Sequence, residues 1–260
     1  MRTQPPQHYA WQACDARIAF VAREITNFDA HALNKMNAAM NVEQARFNMV
    51  EQQIRTWEVL DQDVLDLLYT VHREDFVPPA YRGLAFSDLQ IPLTPQAEPC
   101  EHMWVPKFEA RVLQELEVKK SDSVLEVGTG SGYFAALLAH RARQVHSLEI
   151  NPALASFGRQ NLARAGIENV TVEQGDGSRG WSGKAPYDVI VVTSSLPMLP
   201  DEFRAQLRPG GRLFAVLGDA PVMAARLVTC TAQDSFVQRD LFETCIAQLK
   251  NAVQPERFQF

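Results

Sequence analysis

From Val42 onward the chain carries a readable rhythm of apolar and polar positions. Val42, Ala45, Phe47, Met49, Val50, Ile54 and Trp57 recur at mostly helical spacing. A second helical stretch follows, in which Val64, Leu65, Leu68 and Val71 share one face and Asp61 stands as the N-cap. Pro78, Pro79, Pro92, Pro95 and Pro99 then forbid any long helix, because proline lacks a donor and restrains the residue before it. This stretch reads as a loop-rich collar or lid. Beyond Pro106 the pattern becomes regular: helix 107–116, strand 123–127, helix 132–140, strand 144–149, helix 152–165, strand 170–174, strand 187–193, helix 201–207 and strand 212–217. Such alternation predicts right-handed crossovers and a mostly parallel sheet covered on both faces, the doubly wound α/β class.

Residues 1–40 lack a clear period. A short helix over 13–25 is the one candidate element there, and the segment reads as a peripheral or disordered extension without a functional role. Residues 41–105 are then the helical, loop-rich N-terminal part of the main domain, and 106–260 its Rossmann-like core. The pattern leaves open whether the final segment, 243–260, packs on the sheet or on a partner.

With 46% hydrophobic and 22% charged residues, a chain of 260 can bury a full core. Its net charge of -6 argues against nucleic acid or an anionic membrane surface as partner, since phosphate binding needs clustered Lys and Arg. Apolar stretches such as 187–193 fall far short of the roughly 20 residues that span a bilayer. Residues 1–12 show no signal-peptide core, so a cytoplasmic location is expected. Cys14, Cys100, Cys230 and Cys245 are scattered without metal-ligand spacing and read as reduced structural thiols, with no metal site.

The sharpest chemical signal is Val124-Leu-Glu-Val-Gly-Thr-Gly-Ser-Gly-Tyr133, a strand entering a glycine-rich turn and then a helix. Gly128, Gly130 and Gly132 let the backbone turn tightly and approach a ligand, with Thr129 inside the turn and the helix N-terminus offering unpaired N–H groups. A dinucleotide fingerprint requires a small residue where Tyr133 stands. The G-x-G-x-G spacing with Glu126 two residues ahead resembles instead the pattern of S-adenosylmethionine methyltransferases. Glu149 ends the next strand, where a carboxylate accepts ribose hydroxyls, and Asp176 with Gly177 follows the third strand, placed for the adenine amino group. Either acid alone is explained equally well as a turn cap.

Segments outside that turn resemble the protein-L-isoaspartate O-methyltransferase family. They are Met49-Val-Glu-Gln-Gln-Ile-Arg55, Val71-His-Arg-Glu-Asp-Phe-Val-Pro78, Ala85-Phe-Ser-Asp-Leu-Gln-Ile-Pro-Leu93, Glu173-Gln-Gly-Asp-Gly-Ser178, Ala185-Pro-Tyr-Asp-Val-Ile-Val-Val-Thr193 and Gln206-Leu-Arg-Pro-Gly-Gly-Arg-Leu213. The resemblance runs from about Met40 to at least Gly218. It implies a seven-stranded methyltransferase sheet, S-adenosylmethionine as cofactor, and a monomeric cytosolic enzyme that methylates isoaspartyl residues of damaged proteins or peptides. The family's substrate loop reads close to Gly-Gln-Thr-Ile-Ser-Gln-Pro. Anchored on Pro106, the corresponding Glu101-His-Met-Trp-Val-Pro106 carries His102 for Thr and Trp104 for Ser.

Transfer of a methyl group from a sulfonium to a carboxylate removes opposite charges and needs positioning in a dry site more than acid or base assistance. Asp88, His102 and Trp104 are therefore the candidate acceptor-facing residues. His102 would serve as general base toward a hydroxyl or amine acceptor, and is otherwise a surface or packing histidine. Trp104 is otherwise a packed loop anchor. Two alternatives stay open at this point: an unidentified small-molecule acceptor on the same scaffold, and a non-catalytic protein that binds S-adenosylmethionine.

Overall fold

The computed structural model describes residues 42–256. The chain divides after Ala45 into two units, and apart from the first four residues of the first helix the features below belong to the second. The helix expected over 13–25 and the extension over 1–40 lie outside the described residues.

Helix α1, Val42–Asn48, is followed by a π turn, Met49–Ile54, and a 3-10 turn, Arg55–Trp57, that stops at Glu58 with φ 60°. Helix α2, Gln62–Thr70, starts where the Asp61 carboxylate accepts the backbone N–H groups of Asp63 and Val64, two of the donors a helix start leaves unpaired. Its apolar face, including Val64, Leu65 and Leu68, is buried, as is Val71 just beyond it. The proline-punctuated stretch holds the 3-10 turns Arg73–Asp75 and Pro79–Leu84. It also holds two short antiparallel strands, β1 Ile91–Pro92 and β2 His102–Met103, with Pro92 opposite His102.

The regular part begins at α3, Pro106–Leu116, with proline in the first turn where its missing N–H costs nothing. Then come β3 Ser123–Val127, α4 Tyr133–Arg141, β4 Gln144–Glu149, α5 Pro152–Arg164, β5 Val170–Gln174, β6 Tyr187–Leu196, α6 Asp201–Ala205, β7 Leu207–Asp219, β8 Val222–Ala232 and β9 Ser235–Thr244. One sheet of seven strands runs in the order β5-β4-β3-β6-β7-β8-β9. The first five are parallel; β8 and β9 return as an antiparallel meander. Every residue of β3 is buried, because it lies between β4 and β6 under helices on both faces. Strand β7 starts five residues earlier than its apolar run suggests, since Leu207 already pairs with Tyr187, and α6 is cut short accordingly.

Alternate residues of the central strands, including Leu125, Val127, Ile190, Val192, Leu213 and Ala215, build the main core with Phe203 of α6. The segment after β9 closes onto the sheet. Ser195 donates its backbone N–H to Ala247 and accepts that of Leu249, and Ala252 enters the core. This settles the packing of the described part of 243–260: it lies along the carboxyl end of β6.

Loss of the cap in Asp61→Ala is expected to lower stability by about 1 kcal/mol, read as a fall in the urea midpoint at unchanged slope.

Candidate functional site

Strand order changes direction at β3, whose neighbours β4 and β6 are entered by crossovers on opposite sides, and open α/β sheets bind ligands in the crevice this leaves at the carboxyl ends. The glycine turn fills that point. Gly128 has φ 102°, and an added Cβ would stand 2.1 Å from Oγ1 of Thr193, which donates to the carbonyls of Val127 and Gly128 from the end of β6. Only a residue without a side chain allows β3 and β6 to close there. Gly132, φ 82°, is the N-cap of α4 and faces the backbone of Gly158 in α5, so it sets helix packing and does not border the pocket.

The pocket above the turn encloses about 820 Å³ of space, open solvent at its mouth included. Gly128, Thr129, Gly130, Glu149, Asp176 and Gly177 all border it. The two Glu149 oxygens accept the backbone N–H groups of Gly130 and Asn151, both at about 3 Å. Burial still raises its pKa overall, with the nearby Glu101 carboxyl adding to the effect. Burial also pushes Asp176 upward, but the N–H of Ser178 and the side chain of Asn251 outweigh it, and the net shift is down.

Glu126 sits elsewhere than its motif suggests. It is fully buried beneath the turn and does not border the pocket. Ser147 donates to one of its oxygens and, having a single proton, accepts from Thr129, so the three form a chain that fixes the turn from below. The other oxygen, Oε1, is buried without a partner. Burial lifts the Glu126 pKa to about 8; the Ser147 bond opposes the rise and the Glu149 and Glu109 carboxyls add to it.

His102 and Trp104 both border the pocket, whereas Asp88 does not: it forms a half-exposed ion pair with Lys107. The Trp104 ring is buried against Phe108, Phe134 and Phe214. The His102 Nδ1 lies 3.1 Å from the carbonyl of Glu98. A carbonyl can only accept, so Nδ1 carries the proton and Nε2 is the free nitrogen.

Several bordering residues gave no motif signal. Glu101, Glu109, Thr193, Ser194, Leu249 and Lys250 all face the pocket. Glu101 accepts from Asn151 and Lys250, and Lys250 also pairs with Glu98, which ties the loop before α3 to the C-terminal segment across the mouth. Burial raises the Glu101 carboxyl, yet these bonds overcome it and lower the pKa on balance. Glu101 and Lys250 are 149 residues apart in the chain, a distance at which spacing carries no information. Among the described residues no group of His, Cys, Asp and Glu is placed to hold a metal ion.

A family model described as protein-L-isoaspartate(D-aspartate) O-methyltransferase matches residues 44–251. A protein-L-isoaspartate O-methyltransferase 1 of Rhodopseudomonas palustris strain HaA2 is 42% identical over 186 residues, 72% of this chain and 74% of that protein. A protein-L-isoaspartate O-methyltransferase of Methanoculleus marisnigri is 42% identical over 173 residues, 66% of this chain and 77% of that one. Among solved structures, a protein-L-isoaspartate O-methyltransferase superposes with TM-score 0.67 at 24% identity, covering 81% of this chain and 66% of its own. A Plasmodium falciparum protein-L-isoaspartate O-methyltransferase in complex with S-adenosyl-L-homocysteine gives TM-score 0.66 at 19% identity, covering 78% and 97%. At these identities the structural likeness is one of fold.

The buried Glu126 carboxyl generates a stability prediction. Its folded pKa lies above the ordinary 4.5, so the contribution of its neutral form is complete below that value and is lost as pH rises through about 8. Glu126→Gln keeps an acceptor for Ser147 and cannot ionise. Between pH 6 and pH 9 the variant is expected to lose less stability than the parent, by on the order of 1 kcal/mol, in denaturant titrations at each pH.

Proposed function

The chain belongs to the protein-L-isoaspartate(D-aspartate) O-methyltransferase family, and on that premise we propose that it transfers a methyl group from S-adenosylmethionine to the side-branch carboxylate of L-isoaspartyl residues in damaged proteins, which begins their repair. The observation that carries this reading is that the glycine turn, Glu149 and Asp176 share one cavity with His102 and Trp104 of the divergent loop. A cofactor held by the first group and an acceptor met by the second would therefore be in contact.

The donor set fits an adenosine-bearing cation. Each Glu149 oxygen has a lone pair left after its backbone N–H, enough for the two ribose hydroxyls, and Asp176 stands at the adjacent strand end for the adenine amino group. Bordering carboxylates outnumber the single bordering lysine, Lys250, which suits a ligand of net positive charge. When bound, S-adenosylmethionine supplies the electrophilic methyl group. The protein supplies placement and dryness: Leu93, Trp104, Phe134 and Leu249 wall the cavity with apolar surface. Because sulfonium and carboxylate charges vanish together on the way to products, a low-dielectric wall favours the reaction over the charged ground state. No general base is needed for a carboxylate acceptor.

A second reading rests on His102, whose Nε2 is the unprotonated nitrogen of the neutral ring: on a hydroxyl or amine acceptor it would take the proton. A cytoplasmic, monomeric enzyme is part of the proposal. For the compartment, its support is that Cys100, Cys230 and Cys245 are free thiols.

With labelled S-adenosylmethionine, an isoaspartyl peptide is expected to take up at least about tenfold more methyl than its aspartyl twin, a difference of roughly 1.4 kcal/mol in transition-state free energy. Equal background uptake would reject the carboxyl acceptor and favour the His102 reading. Glu149→Ala is expected to weaken cofactor binding by about tenfold or more in equilibrium dialysis, because the ribose hydroxyls lose a charged acceptor.

A further inference from the structure

The amino-acid end of S-adenosylmethionine carries an ammonium group, and Glu126, the acid two residues ahead of the glycine turn, is sealed beneath that turn. Four carboxylates do border the pocket: Glu101, Glu109, Glu149 and Asp176. Three have both oxygens engaged. Glu149 accepts two backbone N–H groups, Asp176 accepts from Ser178 and Asn251, and Glu101 accepts from Asn151, Lys250 and the N–H of Glu98. Glu109 is different. Oε2 takes the Arg73 guanidinium, and Oε1 has no partner among the described residues although the side chain is only 4% exposed.

Its location also fits. Glu149 and Asp176 stand at the ends of β4 and β5, on one side of β3. Helix α3, which carries Glu109, packs against β7, on the other side of β3. A cofactor whose adenosine reaches Glu149 and Asp176 extends its other end across the turn toward α3. We propose that Glu109 receives the α-ammonium group of the cofactor through Oε1, with Arg73 holding Oε2 as a positioning residue. The assignment rests on the cofactor reading above.

Arg73 is built to hold and not to move. It is 1% exposed, donates Nε to the Ala85 carbonyl and a terminal nitrogen to the Trp104 carbonyl, and lies 5.2 Å from the centre of the Tyr133 ring. The charged and titratable groups facing Glu109 are Arg73, Glu126 and Tyr133. Burial dominates among them: it raises the Glu109 carboxyl to about 7 against the opposing pull of Arg73. Near neutrality the unliganded side chain therefore binds a fraction of a proton, and an incoming ammonium expels it. Cofactor binding is thereby linked to proton release, and affinity rises with pH through neutrality.

The test is calorimetric binding of S-adenosylhomocysteine at pH 7, in two buffers of different ionisation enthalpy. This ligand keeps the ammonium and lacks the sulfonium, so the two cations are separated. The unmodified protein is expected to release up to about half a proton, given a carboxyl that titrates near pH 7. The analogue lacking the α-amino group should bind about tenfold more weakly and release none. Glu109→Gln should likewise abolish the release. The analogue arm uses the unmodified chain, so the proposal stays testable if that variant leaves Arg73 too poorly paired to fold. Binding of the deaminated analogue as tightly as S-adenosylhomocysteine, or proton release that persists with it, overturns the Glu109 assignment alone. No binding of S-adenosylhomocysteine overturns the cofactor reading and the assignment with it.

Discussion

The structure turns on carboxyl groups kept out of water around the end of β3. Glu126 and Glu109 are almost wholly buried and Glu149 is nearly so, and for each of them burial is the largest influence on its pKa and raises it. Desolvating an anion is costly unless hydrogen bonds or an opposite charge compensate. The protein compensates only in part, with Arg73 on one side and backbone N–H groups and Ser147 on the other. The remaining demand for positive charge is what a sulfonium cofactor with an ammonium end supplies.

The scaffold makes that arrangement possible because the crevice at the strand ends is where five parallel strands present their termini together. Gly128 allows β3 and β6 to close over Thr193, and the Thr129–Ser147–Glu126 chain holds the turn from below. The mouth is drawn together from far along the chain: Lys250 reaches Glu101 and Glu98, and Asn251 reaches Asp176. The same C-terminal segment is anchored on Ser195, so the site and the sheet edge are one construction.

Much of this was legible in the residues. Strands 123–127, 144–149 and 170–174 match the observed β3, β4 and β5: β3 is a fully buried, mostly apolar run, whereas β4 and β5 are more polar and stand out by their alternation with helices. That Glu149, Asp176, Gly128 and Gly130 gather at one pocket was legible because their spacing follows from a strand-turn-helix unit. Strands β8 and β9 escaped, since β9 reads Ser-Phe-Val-Gln-Arg-Asp-Leu-Phe-Glu-Thr and is largely exposed, with too little apolar alternation to mark it. Glu126 lies outside the pocket, buried against Ser147 of β4, because a motif fixes sequence distance and not which way a side chain is turned. Asp88 pairs with Lys107 outside the pocket, which proximity in sequence to the loop could not reveal. Glu109 and Lys250 had no signal, because their roles come from tertiary neighbours.

The central claim is that buried acids destabilise the unliganded protein as they ionise and that the cationic cofactor offsets this. The most direct measurement is the rise in melting temperature produced by saturating S-adenosylmethionine, followed from pH 6 to pH 9. The account predicts a rise that grows with pH, since the unliganded protein loses stability as Glu109 titrates near 7 while the liganded protein is spared that loss. A shift that stays flat or shrinks toward pH 9 would contradict it.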